Sequence, residues 1–293
     1  MNISAQNDKI IEAYSIDGRP LHRTLLKPGL KQKFEENLRV ARQTYESNPE
    51  DVDAIIWLGR RMGYLMRCNE AIDIYSKGLE LHPDNYKLLR HRGHRHLSIR
   101  KFNAALADFT AAARLIQGVP DEIEPDGMPN AAGTPVSTNH FNIWYHLGLT
   151  QYLMGDYPAA LDSYASCLDF CPNDDSIIAL ANWQYNTLLK MGRNDDAMAV
   201  LDPITEHMTV VDDPGYYHLL LHYRGLREER DILDLEGGGN LESVTIAYGI
   251  ANRYFCNGDR ETAVRTFQRI LACEIWSAFG YIAAEADLYR MKN

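Results

Sequence analysis

The sequence predicts an all-α protein built from repeated helix pairs, and three observations carry that prediction. Small and aromatic residues recur at a near-constant spacing, each recurring window holds two apolar stripes at helical period, and Gly or Pro punctuation separates the stripes. Gly59, Ala71 and Tyr75 return 34 residues later as Gly93, Ala105 and Phe109. After one further period and 21 extra residues they return as Gly148, Ala160 and Tyr164. Gly155, Ala160 and Tyr164 then reappear 37 residues on as Gly192, Ala197 and Leu201, and 66 residues after that as Gly258, Ala263 and Phe267.

The helix pair is clearest in NIWYHLGLTQYLMGDYPAALDSYASCLDFCPND. Trp144, Leu147, Gly148 and Tyr152 form one stripe, Gly155-Asp156 breaks it, and Ala160, Leu161, Tyr164 and Leu168 form the second before Pro172. Gly148 and Ala160 lack bulk, so the two helices can cross closely while Tyr164 fills the space beside them. From the N-terminus the reading is as follows. Residues 1–51 form an extension with a capping helix at 31–47, stopped by Pro49. Residues 52–119 hold repeats one and two, 120–140 an acidic Pro/Gly-rich insertion, and 141–211 repeats three and four. Residues 212–243 are a degenerate repeat that keeps its first helix and decays into DLEGGGN. Residues 244–293 hold the final repeat and a C-terminal capping helix at 278–290.

The window at 141–174 resembles the tetratricopeptide repeat, with its W-x2-L-G-x2-Y, Ala, aromatic and Pro pattern. The likeness is good at 52–85 (Leu58, Gly59, Ala71, Tyr75, Pro83) and weaker at 86–119, where the closing proline is missing; 178–211 and 244–277 lose the first-helix glycine. The resemblance implies a superhelical solenoid of about five to six helix pairs, with first helices lining a concave groove. Carried over by register, the groove face is Ile56, Arg60 and Tyr64 in repeat one and Arg90, His94 and Ser98 in repeat two. It continues as Asn142, Tyr145 and Tyr152, then Asn182 and Asn186, then Tyr248 and Asn252.

None of these positions is acidic in a chain whose formal charge is −10. Arginine forks, asparagine amides and tyrosine rings suit an extended, carboxylate-bearing segment. The expected binding residues are therefore Arg60, Tyr64, Arg90, His94, Asn142, Tyr145, Asn182, Asn186, Tyr248 and Asn252, and the expected partner is a protein or peptide. Some members of the family hold chaperone C-termini with a Lys–Asn pair, a further Asn and a third, Lys–Arg pair on three successive first helices. That third pair is missing here, so that ligand is not implied.

The rest of the sequence sets bounds. The length of 293 residues and the 45% apolar and 24% charged content are those of a folded globular chain. The negative field opposes nucleic acid and anionic membrane, the N-terminus lacks the features of a signal peptide, and a cytoplasmic location is expected. Cys167 and Cys171 lie one helical turn apart, which suits either a metal or redox pair or, in preference, small packed residues. His91 and His94 could converge, but His96 faces away and arginines flank them; His218 and His222 have zinc spacing but lack the acid of HExxH. No cofactor, metal or catalytic residue is expected. The rival reading is a small-molecule or enzymatic pocket between the concave face and the insertion, with His94 as acid or base.

Two expectations concern the segment RHRGHRHLSIRK at 90–101. The insertion, with Asp121, Glu122, Glu124 and Asp126, should fold back as a wall or lid with its acids near Arg90 or Arg95. Arg100 and Lys101 should be solvent-exposed at the turn between helices.

Overall fold

The computed structural model describes residues 10–127, 130, 133–212, 214–235 and 239–292. After a short antiparallel hairpin, β1 (Ile11–Tyr14) and β2 (Pro20–His22), the described chain is helical. The capping helix α1 (Pro28–Ser47) leads into the pairs α2 (Val52–Tyr64) with α3 (Cys68–Leu81) and α4 (Tyr86–Ser98) with α5 (Phe102–Leu115). Then follow α6 (Asn139–Met154) with α7 (Tyr157–Leu168) and α8 (Asp174–Lys190) with the short α9 (Asn194–Val200). The series closes with α10 (Pro214–Tyr223), α11 (Glu229–Ile232), α12 (Leu241–Cys256), α13 (Arg260–Leu271) and α14 (Phe279–Lys292). This is the expected all-α superhelical solenoid.

Local chemistry sets the starts of the first helices. Asp51, Asn85, Thr138, Asn173 and Asn240 each cap one, accepting a bond from the backbone N–H three residues on. A cap of this kind is worth about 1 kcal/mol. Gly155 closes α6 in the left-handed region, at φ 87°, where a side chain would be strained. In the first three pairs the recurring first-helix glycine meets the recurring aromatic. A Cβ at Gly59 would overlap the Tyr75 ring, and one at Gly148 would overlap Tyr164.

The first helices pack in series, α2 on α4, α4 on α6 and α6 on α8, and the curvature then sets α12 on α8 and α14 on both α12 and α6. Lys190 of α8 donates to Asp287 of α14 at 2.8 Å, and Tyr248 of α12 donates to the same carboxylate oxygen at 3.0 Å. Arg290 reaches the Leu153 carbonyl of α6 at 2.8 Å. Asn252 donates to the Asn186 side chain at 2.8 Å, and the Tyr152 and Tyr248 hydroxyls bond each other. In this half the concave face is therefore closed.

The β1–β2 hairpin also meets α14 and the turn before it. The Ile16 N–H donates to Glu285, Arg19 donates to the Tyr281 hydroxyl at 2.9 Å, and Trp276 donates to the His22 carbonyl at 2.6 Å. Arg100 does not face solvent as expected. Its side chain is 4% exposed and pairs with Glu285 at 2.7 Å, because α14 packs over the α4–α5 turn and brings a carboxylate to it. Breaking a buried pair strands a charge at about 3–5 kcal/mol. Glu285→Ala should therefore lower the urea midpoint strongly, whereas removing the exposed Glu36 that pairs with Arg39 should leave it nearly unchanged; equal midpoints would contradict the clasp.

Candidate functional site

The N-terminal half stays open because α2 and α4 have no opposing first helix. Two adjoining cavities, each of about 610 Å³, lie between α2, α4, the insertion and the chain before α12. The polar one is lined by Arg60, Tyr64, Arg90, His91, His94 and Arg95, facing Glu124, Asp126, Asp212 and Glu242. The apolar one shares Tyr64, His94 and Arg95 and adds Leu30, Phe34, Phe141, Phe279 and the aliphatic part of the walls. The groove is thus not free of acids as expected. The insertion, the segment before α10 and the first turn of α12 supply them from outside the groove face.

Of the expected binding residues, Arg60, Tyr64, Arg90 and His94 come together in the polar cavity. Asn142 and Tyr145 lie at the wall of the apolar one, both largely buried. Asn182, Asn186, Tyr248 and Asn252 do not face a groove. They are 0–2% exposed and bonded among the first helices, because the ring of α6, α8, α12 and α14 closes over them. Tyr145 likewise accepts from Trp183 at 2.8 Å rather than projecting into solvent.

The insertion lies across α2 and α4. Glu124 pairs with Arg90 at 3.0 Å and approaches Arg60 at 3.9 Å, and Asn142 donates to it at 3.1 Å. Arg60 also donates to the Pro125 carbonyl and Arg61 to the Gly127 carbonyl, both at 2.7 Å, while Lys87 bonds Glu122 at 2.7 Å. At the other edge Ile123 bridges Thr138, so the segment is held on both sides. The expected approach of its acids to Arg90 is present, but Arg95 is left out. Arg95 is absent from the ion pairs formed among the described residues, which involve Arg90, Arg92 and Arg100 of the same basic segment. Register alone misses Arg95, because it stands one residue past His94; the density of cations around it in the sequence is the only hint.

The histidines are packing groups. His94 packs against His146 at 4.8 Å and Phe279 at 5.6 Å, with the rings tilted. Burial, then the Arg95 and His146 charges, holds His94 well below 6.5, and burial with Arg90 does the same to His91. His222 bonds the Arg227 carbonyl and His218 faces Glu242, so they share no ligand position. Among the described residues no group of three metal-ligating side chains converges, and Cys167 and Cys171 are free thiols.

Residues 143–174 match the family model described as tetratricopeptide repeat, so the chain carries a repeat of that family. No curated protein matches the chain. Among solved structures, MamA is 17% identical with a TM-score of 0.46 over 62% of this chain and 91% of its own. YrrB, described as a TPR protein with an unusual peptide-binding site, is 17% identical with a TM-score of 0.44 over 78% of this chain and 97% of its own. No described helix is long and apolar enough to cross a membrane.

The buried histidines fix the pH response. Burial pushes His146 down to about 3 and His96 down to about 4, so the folded state resists protons that the unfolded chain accepts near 6.5. The unfolded state then binds more protons, and stability falls as pH drops. The melting temperature should hold above pH 6.5 and fall progressively toward pH 4, with a shallower fall in His146→Gln; a rise on acidification would contradict these assignments.

Proposed function

We propose that this repeat-bearing chain is a non-catalytic binding module, a scaffold that takes a protein or peptide segment in the cleft of its N-terminal half. The carrying observation is Arg95, a cation that joins no ion pair among the described residues and lines both a polar and an apolar cavity. A segment that offers a carboxylate there and an apolar side chain to Phe34, Phe141 and Phe279 satisfies both. The closed C-terminal half supports the same reading by leaving its asparagines and tyrosines to structure, so specificity falls on α2, α4 and the segments facing them.

The second reading is a small molecule held under the insertion, favoured by a cavity of about 610 Å³ with mainly apolar walls, a size that suits such ligands. Its enzymatic form gains little from His94, which is held neutral by burial and cannot act as an imidazolium acid near pH 7. Thermal shift against small-molecule collections, with no protein present, separates the two readings.

Affinity capture with wild type, Arg95→Glu and Arg114→Glu tests the leading reading, since Arg114 is exposed on α5. One charge-assisted contact contributes about 1.5–3 kcal/mol, roughly ten- to hundredfold in affinity. Partners kept by wild type and Arg114→Glu should be lost with Arg95→Glu. Equal capture by all three would remove the cleft from consideration.

A further inference from the structure

The insertion meets the groove in the manner of a bound peptide. Glu124 is 5% exposed, and its carboxylate collects Arg60, Arg90 and Asn142 from α2, α4 and α6, three successive first helices. The next carbonyls along the chain, of Pro125 and Gly127, are taken by Arg60 and Arg61. Recognition is thus of one acid and of backbone, which any segment of like sequence offers. The cradle is shaped as well as charged: a Cβ at Gly127 would overlap the Tyr64 hydroxyl, so the position fits glycine. Pro125 restricts the backbone between the two contacts. Residues 122–127 are tied to their own chain mainly at one edge, by Glu124 N–H to the Ser137 carbonyl at 3.0 Å and Asn139 N–H to the Glu122 carbonyl at 2.9 Å.

Resting on the binding-module reading, we infer that residues 122–127 are an intramolecular ligand of the α2–α4–α6 face, and that this face recognises a partner segment of the Glu-Pro-Asp-Gly kind, which must displace the insertion to bind. Tethering gives the resident segment an effective concentration on the order of millimolar, so a free peptide competes poorly while the insertion is intact. Arg90 makes the arrangement self-consistent. Buried without a carboxylate it would be an uncompensated charge, so the empty state of the face is disfavoured and one acidic segment is exchanged for another.

The test uses a fluorescein-labelled synthetic peptide with the sequence of residues 120–127, read by anisotropy. Glu124→Ala should bind it at least tenfold more tightly than wild type, and Glu124→Ala with Arg90→Met should lose that gain. The same peptide with glutamine in place of the glutamate corresponding to Glu124 should bind poorly to every variant. A folded Glu124→Ala protein that binds no better than wild type, or that accepts the glutamine peptide equally, overturns the inference. Should Glu124→Ala fail to fold, hydrogen exchange on wild type decides. Excess peptide must speed exchange of the Glu124 and Asn139 amides, and unchanged exchange overturns it. Failure here with partner capture still sensitive to Arg95→Glu leaves the binding-module reading standing; capture indifferent to Arg95→Glu sinks that reading whatever the peptide does.

Discussion

The carboxylate of Asp287 holds the solenoid closed. It is 3% exposed, and it accepts from Lys190 on α8, Tyr248 on α12 and Arg290 on its own helix. Without it a buried Lys190 would have no counter-charge, and Tyr248 would lose its acceptor on α14. With it, α6, α8, α12 and α14 enclose a polar interior of asparagines and tyrosines that satisfy one another. That enclosure decides where a ligand can go. A stack of helix pairs ordinarily offers a long concave surface; here only the part built by α2 and α4, and the edge of α6, is left to face an occupant.

The dense basic segment of an acidic chain follows from the same closure. Arg92 meets Asp108 of its partner helix in a two-pronged pair at 2.6 and 2.9 Å. Arg90 meets Glu124 of the insertion, and Arg100 meets Glu285 of the last helix. Three arginines of one helix and its turn thus anchor three different parts of the chain, and the three histidines among them stay neutral through burial. Arg95, which lines the cleft and touches the Cys68 thiol, joins no ion pair among the described residues. The segment is a hub for intramolecular ion pairs.

Much of the fold was legible because each repeat is local. Gly59 with Tyr75 and Gly148 with Tyr164 lie within one helix pair, and their spacing states which helix crosses which. The groove face was legible only as far as register reaches: Arg60, Tyr64, Arg90 and His94 are where their helical positions put them. Register says which way a side chain points and nothing about what stands opposite. Asn186 and Asn252 are 66 residues apart and meet only because small rotations accumulate over several repeats. The hairpin was missed because its strands, of four and three residues, are too short to show alternation. The acids of the cleft escaped notice because Asp212 and Glu242 lie outside the helical face used to define the groove.

Hydroxyl-radical footprinting of the unmodified protein tests the closure most directly. Tyr152, Trp183 and Tyr248 are 0–2% exposed, against 57% for Tyr14 and 42% for Tyr289. The closed ring requires Tyr152, Trp183 and Tyr248 to be oxidised as slowly as the core residue Tyr75, with Tyr64 at an intermediate rate. Oxidation of Tyr152 and Tyr248 at rates near those of Tyr14 and Tyr289 would mean that the concave face is open along its length and that the cleft of the N-terminal half holds no special place.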